Sequence, residues 1–222
     1  MCGRFALATE KKILEMLFDL EIRTNIDLRP RYNIAPSQQI AGLRLSPQNG
    51  EKELTVFKWG LVPFWARDQS IGSRMINARA ETVAAKPSFR EAFKKRRMLI
   101  PASGFYEWKK EAEAKQPYYI TRKDGQPFSF AGLWEHWDQG GESLQSCAIV
   151  TTEPNELLAP IHNRMPVIIP VEQYDNWLSP ESDAEELKYL LAPLPPEELT
   201  LHPVAPLVNN PANDSPDLIK TL

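Results

Sequence analysis

Cys2 follows Met1 directly. Its side chain is small, so a methionine aminopeptidase is expected to remove Met1 and leave Cys2 as the N-terminal residue. An α-amine and a thiol then sit on adjacent carbons. An α-amine has a pKa of about 7.7–8.0 against about 10.4 for Lys, so near neutral pH roughly a quarter is unprotonated, against about one in a thousand for Lys. A free amine condenses with an aldehyde to a Schiff base. The neighbouring thiol then adds to the same carbon and closes a five-membered thiazolidine. The types and spacing suit aldehyde trapping. The alternative is a small, buried, inert cysteine near a chain end.

Other polar side chains stand inside apolar or strand-like runs. They fall in Arg31-Tyr32-Asn33-Ile34-Ala35-Pro36, Ile76-Asn77-Ala78-Arg79-Ala80-Glu81-Thr82, Ser103-Gly104-Phe105-Tyr106-Glu107-Trp108, Val150-Thr151-Thr152 and Ile161-His162-Asn163-Arg164-Met165-Pro166. Glu107 lies between two aromatics, where burial raises a carboxyl pKa and makes a proton shuttle. His162 precedes an apolar run and titrates near neutrality. Each has a plainer reading. Asn77 can serve only nearby backbone, Glu107 can be the exposed member of an alternating strand, and His162 can be an ordinary loop residue. His136 and His202 lack such context and read as structural.

The elements that must position these groups are mostly short strands. A helix over 10–20 is expected with Thr9 as its cap, then a loop over 21–37. Strands follow at Ile40–Leu45 and Leu54–Trp59, joined by Pro47-Gln48-Asn49-Gly50. Residues 60–75 read as an exposed loop, and Ser88 as the cap of a short helix ending at Lys95. Further strands are expected at Met98–Pro101, Phe105–Lys109, Tyr118–Arg122, Phe128–Trp134, Ser146–Thr152 and Met165–Ile169. Asp124-Gly125 reads as a hairpin turn and Gly140-Gly141 as another break. Val171–Leu178 and Ala184–Leu191 read as surface helices, and the Pro-rich end as holding one short strand. Many strands with few helices between them indicate an α+β chain with an antiparallel core, in one domain spanning 1–222.

The chain has 222 residues, 42% apolar and 25% charged, as expected for a soluble protein. Two Cys make no disulfide framework, and with three His they are too scattered for a zinc site. No cofactor or metal is called for. No leader and no membrane-spanning run is evident, so a cytoplasmic monomer is expected. The net charge of −3 is unevenly spread. Residues 1–110 hold 20 Lys/Arg and 11 Asp/Glu, a net of +9, and residues 111–222 hold 6 and 18, a net of −12. Such a split suits one basic face for a polyanion. It equally suits two halves that pair with each other.

Met-Cys-Gly-Arg-Phe, Arg-Tyr-Asn-Ile-Ala-Pro, Trp-Gly-Leu-Val-Pro, Asn-Ala-Arg-Ala-Glu-Thr, Gly-Phe-Tyr-Glu-Trp and Ile-His-Asn-Arg-Met-Pro occur here in that order. In this the chain resembles the SRAP family, named for SOS-response-associated peptidases, and specifically its minimal bacterial type. The resemblance runs from Cys2 to about Asn210. It implies a barrel-like β core with a few peripheral helices. It also implies that the partner is single-stranded DNA, or a single-strand/double-strand junction, carrying an abasic site. The N-terminal Cys of the family traps the ring-opened sugar aldehyde as a thiazolidine DNA–protein crosslink.

Residue by residue, the resemblance implies that Asn77 orients the Cys2 end and the sugar. Glu107 moves protons during ring opening and Schiff-base formation, and His162 assists at the sugar oxygen and in reversal. Thr151 lines the same pocket. Arg4, Asn33, Arg79 and Arg164 match positions near the lesion phosphates, Arg90 is assigned to a further phosphate, and Trp65 stacks on a base. Some relatives carry a second Trp after this one; here that position is Ala66, which weakens the expected grip on a duplex. A thiol peptidase using Cys2 and a non-covalent single-strand binding module are the alternative readings.

Overall fold

A computed structural model describes residues 2–22, 26–112 and 114–222. Met1, part of the expected 21–37 loop and Glu113 lie outside the described residues. Alternating apolar runs cut by Gly and Pro make most of the chain strand. The elements are β1 (Phe5–Leu7), α1 (Lys11–Phe18), β2 (Arg31–Ile34), β3 (Gln39–Leu45), β4 (Lys52–Trp59), β5 (Asn77–Arg79), α2 (Arg90–Lys95), β6 (Arg97–Ala102) and β7 (Gly104–Lys110). They continue as β8 (Lys115–Arg122), β9 (Phe128–Gln139), β10 (Glu142–Thr152), β11 (Met165–Pro166), β12 (Ile168–Ile169), α3 (Tyr174–Leu178), α4 (Ala184–Tyr189) and β13 (Leu199–Pro203).

Five strands close on themselves. β3 pairs with β4 and β6, β6 with β9, and β9 with β10, all antiparallel. β10 then meets β4 in parallel, with Ser146 opposite Lys58 and Cys147 opposite Trp59, and this seam shuts the barrel. Closure removes the free edges of these strands. β5 continues beyond β4 along β10, also parallel, with Ile149 opposite Asn77 and Thr151 opposite Arg79. A second sheet, in the order β13-β8-β7-β1-β2, is antiparallel throughout. The architecture is α+β, a barrel and a second sheet with small helices at the periphery.

Aromatic rings join the two sheets. Phe5 of β1 meets Trp59 of β4 edge-on at 5.3 Å and Phe130 of β9 at 5.7 Å. Phe105 of β7 meets Phe130 at 6.0 Å and Phe128 at 6.5 Å. Such pairs contribute about 0.5–1.5 kcal/mol each beyond area burial. Gly104 lets β7 press close to β8, since a Cβ there would lie 2.4 Å from the Tyr119 ring and 2.7 Å from the Ile120 carbonyl.

Several expectations fail for identifiable reasons. Thr9 does not cap α1; its hydroxyl bonds to the Ser103 Oγ at 2.9 Å, and Glu10 precedes the helix without a side-chain cap. Phe89, not Ser88, precedes α2, again without a side-chain cap. The expected 21–37 loop contains β2, which completes the edge beside β1. Residues 60–75 are not uniformly exposed, because Leu61, Val62 and Ala66 are buried and Gln69–Arg74 form a 3-10 turn. Asp124-Gly125 makes no hairpin, since β8 belongs to the second sheet and β9 to the barrel. Gly140-Gly141 does make one, both at positive φ, joining β9 to β10. The expected Met165–Ile169 strand splits at Val167, so that β11 pairs with β10 and β12 with β9. α3 is not a surface helix, for Trp177 is fully buried. The barrel core is antiparallel as expected, apart from two parallel seams on β10. Among the described residues no helix is long and apolar enough to cross a membrane.

Arg97 opens β6 and is 4% exposed. Its guanidinium donates to the carbonyls of Phe93 at 2.6 Å, Lys94 at 2.8 Å and Trp177 at 2.7 Å, and to that of Ser179. It thereby satisfies carbonyls at the ends of α2 and α3 together. Burial pulls its pKa down to about 10, still charged at neutrality. Arg97→Met keeps volume but orphans those carbonyls, and should cost about 3–5 kcal/mol. The urea midpoint at unchanged m-value measures this. A loss under about 1 kcal/mol, the size of one ordinary hydrogen bond, would show that water replaces the guanidinium.

Candidate functional site at the N-terminal end and basic cleft

Cys2 is placed by its distance from Phe5. β1 runs between β2 and β7, with Phe5 opposite Ile34 and Phe105, so the residues just before it are carried into the protein. Cys2 is fully buried. Its carbonyl accepts a hydrogen bond from Asn77 Nδ2 at 2.9 Å. Asn77 begins β5 and is itself aimed by its neighbour. The Ile76 carbonyl accepts from the Trp59 indole at 2.9 Å and from the Ile149 N–H at 3.1 Å. Asn77 Oδ1 is buried and has no partner among the described residues.

Glu107 stands on β7 opposite Tyr118 and is only 2% exposed, so it is not the solvent-facing member of an alternating strand. Burial pushes its carboxyl up to about 8, so it is largely protonated at neutral pH. Burial, and then the charge of Glu107, push the Cys2 thiol far above its ordinary value. Cys2 and Glu107 therefore sense each other, and the thiol rests protonated.

His162 ends a turn that Asn155 holds. Asn155 Oδ1 accepts from the Leu158 N–H at 3.0 Å, and its Nδ2 donates to the Leu194 carbonyl at 2.8 Å. His162 Nδ1 faces the Arg164 backbone, 3.0 Å from its N–H and 3.2 Å from its carbonyl, so that residue holds one edge of the ring. Burial lowers the His162 pKa, and the charges of Arg164 and Lys115 act in the same direction. The ring is thus neutral at pH 7. Sequence reasoning missed Asn155; its only signal is an Asn at the start of a Pro-flanked turn.

Asn77 also borders a cleft of about 600 Å³, lined by Arg74, Arg79, Lys86, Phe89, Thr151 and Arg164. Arg74, Arg79 and Lys86 are exposed there. Arg74 and Lys86 were not singled out in the sequence, although both lie in its positive half. Thr151 is buried and its hydroxyl donates to the Ala78 carbonyl at 3.5 Å. Arg164 forks onto Glu81, with contacts at 2.5 and 3.0 Å, and also reaches the Thr151 carbonyl. Arg90 is exposed at the start of α2 and does not line the cleft. A separate cavity of about 460 Å³ beside Phe5, Arg31, Ile40 and Val56 holds none of the residues picked from the sequence.

Arg4 and Asn33 bind each other rather than standing free. Arg4 donates to Asn33 Oδ1 at 2.7 Å and to the Val208 carbonyl at 2.6 Å, and lies 5.7 Å over the Trp108 ring. Asn33 is 2% exposed, and its amide donates to the Asn210 and Asn213 carbonyls at 3.0 and 2.7 Å. In this arrangement Asn33 anchors the C-terminal segment. Trp65 is 47% exposed beside Phe64 at 52%. Ala66 is buried, and its carbonyl accepts from the Trp137 indole at 2.7 Å. The exposed aromatic pair here is thus Phe64 and Trp65, not Trp65 and its successor.

The raised Glu107 pKa has a sign that can be measured. Between the ordinary carboxyl value of 4.5 and about 8, the folded protein holds a proton on Glu107 that the unfolded chain has released. The Glu107 contribution to stability is therefore full below the lower value and lost as pH rises through the upper one. Glu107→Gln should remove this fall. Urea midpoints across that range should converge for parent and variant at the acid end and separate toward the alkaline end, the variant being the more stable. Parallel curves would show that Glu107 is ionised at neutrality.

With this geometry in hand, the likeness to known proteins is informative. The family described as SOS response associated peptidase (SRAP) matches residues 1–211. The abasic site processing protein YoqW of Bacillus subtilis is 43% identical over 225 residues, covering 100% of both chains. The abasic site processing protein YedK of Escherichia coli is 32% identical, covering 99% of each. A crystal structure of a protein from Bacteroides thetaiotaomicron superposes with a TM-score of 0.88 at 28% identity, covering 100% of both chains. The family match spans nearly the whole chain and the Bacillus relative all of it, and the chain belongs to the SRAP family.

Proposed function

We propose that this protein traps abasic sites in single-stranded DNA, or at junctions with duplex, as a thiazolidine crosslink through Cys2 once Met1 is removed. The observation that carries this reading is the bond from Asn77 to the Cys2 carbonyl, which ties the Cys2 end to the rim of the basic cleft. The names of the relatives, abasic site processing proteins, support the substrate.

The steps balance without an oxidant or a cofactor. The Cys2 amine adds to the C1′ aldehyde and water leaves, giving the Schiff base. The thiol sulfur adds to the imine carbon, and its proton passes to the nitrogen. One C–N and one C–S bond form. Protonated Glu107 is suited to supply the proton that removes water, and its carboxylate to take one back. Asn77 holds the Cys2 backbone, and its unpartnered Oδ1 suits a sugar hydroxyl. Neutral His162 is suited to serve the sugar oxygen in ring opening and in reversal. Arg79, Arg74 and Lys86 offer charge to phosphates, and Trp65 with Phe64 a stacking surface for bases.

A thiol peptidase is the competing reading, and the family description carries that word. Its nucleophile is a thiolate, favoured by a depressed pKa. Burial raises the Cys2 thiol instead, which fits a reaction in which the amine acts first.

Intact mass of the product with an oligonucleotide containing one abasic site separates the two. An uncleavable N-terminal tag blocks the amine and should abolish the adduct although Cys2 keeps its thiol. Cys2→Ala, with Met1 removed, should give at most a borohydride-trappable Schiff base. A stable adduct from the tagged protein would sink the thiazolidine reading. Binding to undamaged single strands should weaken with salt as counterions are released. Arg79→Ala should flatten that slope by roughly one contact. Trp65→Ala should weaken binding at unchanged slope, by about 1–3 kcal/mol per lost stack. A salt-independent affinity would remove the cleft from the binding face.

A further inference from the structure

Phe64 and Trp65 are two large rings held side by side in water, 52% and 47% exposed. On a loose loop such rings fold back onto the nearest apolar surface. The chain around them prevents this. The loop that carries them is closed at its neck, where a Cβ on Gly60 would lie only 2.7 Å from the Gly72 carbonyl oxygen. The Leu61 N–H donates to the Met75 carbonyl at 3.1 Å in the same neck. At the tip, the Ala66 N–H donates to the Pro63 carbonyl at 2.9 Å, so that residues 63–66 make a turn with the two rings at its centre.

This turn rests on one face of the β9–β10 hairpin. Glu135 and Trp137 are two apart on β9 and so share a face, and they stand opposite Ser146 and Leu144 of β10. All four side chains serve the loop. Ser146 Oγ accepts from the Val62 N–H at 2.8 Å. The Trp137 indole donates to the Ala66 carbonyl at 2.7 Å. The Glu135 carboxyl accepts from the Phe64 N–H and is itself held by Arg96, with contacts at 2.7 and 3.0 Å. Leu144 packs with Trp137, Val62, Ala66 and Ile71 in a small core separate from the main one. The backbone is thus tied before the tip, at Phe64, and directly after Trp65.

We propose that Trp137 and Glu135 are positioning residues for DNA binding: they mount the Phe64–Trp65 turn on the β9–β10 hairpin, so that both rings meet bases already in place. The proposal deepens the stacking part of the abasic-site reading and rests on it. A ring fixed beforehand loses little freedom when a base stacks on it, whereas a loose loop must first be ordered. The mount also accounts for Ala66. Its small side chain is buried beside Trp137, and a bulky one there would have to displace the indole.

The first measurement reads the tip without DNA. Backbone amide order parameters of Phe64 and Trp65 should be near the rigid value of about 0.85 in the parent, and fall toward about 0.6 in Trp137→Phe, which keeps an aromatic ring and loses the N–H. Amide signals unchanged outside the loop and the hairpin report intact folding. The second measurement is affinity for an undamaged single-stranded oligonucleotide. Trp137→Phe should weaken it about fivefold, the equivalent of one ordinary hydrogen bond, at unchanged salt slope. Glu135→Leu should act likewise, and Glu135→Gln, which keeps an acceptor for the Phe64 N–H, should recover part of the loss. With Phe64 and Trp65 both replaced by Ala, Trp137→Phe should change affinity by less than about twofold, because nothing is left to position. A mobile tip in the parent overturns the proposal, as does parent-like binding by folded Trp137→Phe. An equal loss with and without the two rings also overturns it, since Trp137 would then act on the fold at large. Parent-like binding by Trp65→Ala and Phe64→Ala would remove the stacking surface and the proposal with it. Failure of the abasic-site reading itself would show differently, as no aldehyde-dependent adduct in the parent while the tip stays rigid.

Discussion

The packing of Phe5 between the second sheet and the barrel is the contact on which the functional end of the molecule depends. Its ring is wedged against Trp59 and Phe130, from strands on opposite sides of the closed barrel. β1 is only three residues long and would not hold itself in place by ladder bonds alone. The ring supplies the anchor, and Cys2, three residues earlier, inherits a fixed position. Trp59 serves twice, since its indole nitrogen also holds the Ile76 carbonyl and so sets Asn77. One aromatic cluster thus aligns both ends of the Asn77–Cys2 bond.

Around that bond the fold uses desolvation more than charge. Glu107, Cys2 and His162 all shift toward their neutral forms, and burial is the first cause in each case. A set of neutral groups can pass protons without large reorganisation, whereas a buried charge would have to be compensated on the spot. The cost is borne by the rest of the core, where the paired sheets bury enough apolar surface to tolerate a carboxyl without full solvation.

The cleft beside it works by the opposite rule. Arg74 and Arg79 stay exposed, where their fields are screened but their charge is certain. The same cleft contains one cation that is neutralised internally, Arg164 against Glu81. Counting basic residues in the N-terminal half overstates the charge offered to a ligand. Arg4 and Arg97 are likewise spent on carbonyls of the chain itself.

The sequence alone determined the family through motif order, the strand-rich α+β class, and Cys2, Asn77 and Glu107 as the groups to watch. These rest on local chemistry: an amine beside a thiol, a polar side chain within an apolar run, a carboxyl between aromatics. It did not determine that Glu107 is buried, because alternation puts a strand residue on one of two faces and says nothing of whether both are covered. It did not show what Asn33 binds within the fold, since only the tertiary structure brings Asn210 and Asn213, some 177 and 180 residues away, to accept from its amide. The Asp124-Gly125 turn was legible as a turn but not as a passage between two sheets, because turn chemistry sets a bend and leaves strand partners open. The parallel seam of β4 with β10 had no local signal at all. It joins strands nearly ninety residues apart, and such pairings are decided by how the whole apolar surface is buried rather than by any stretch of chain.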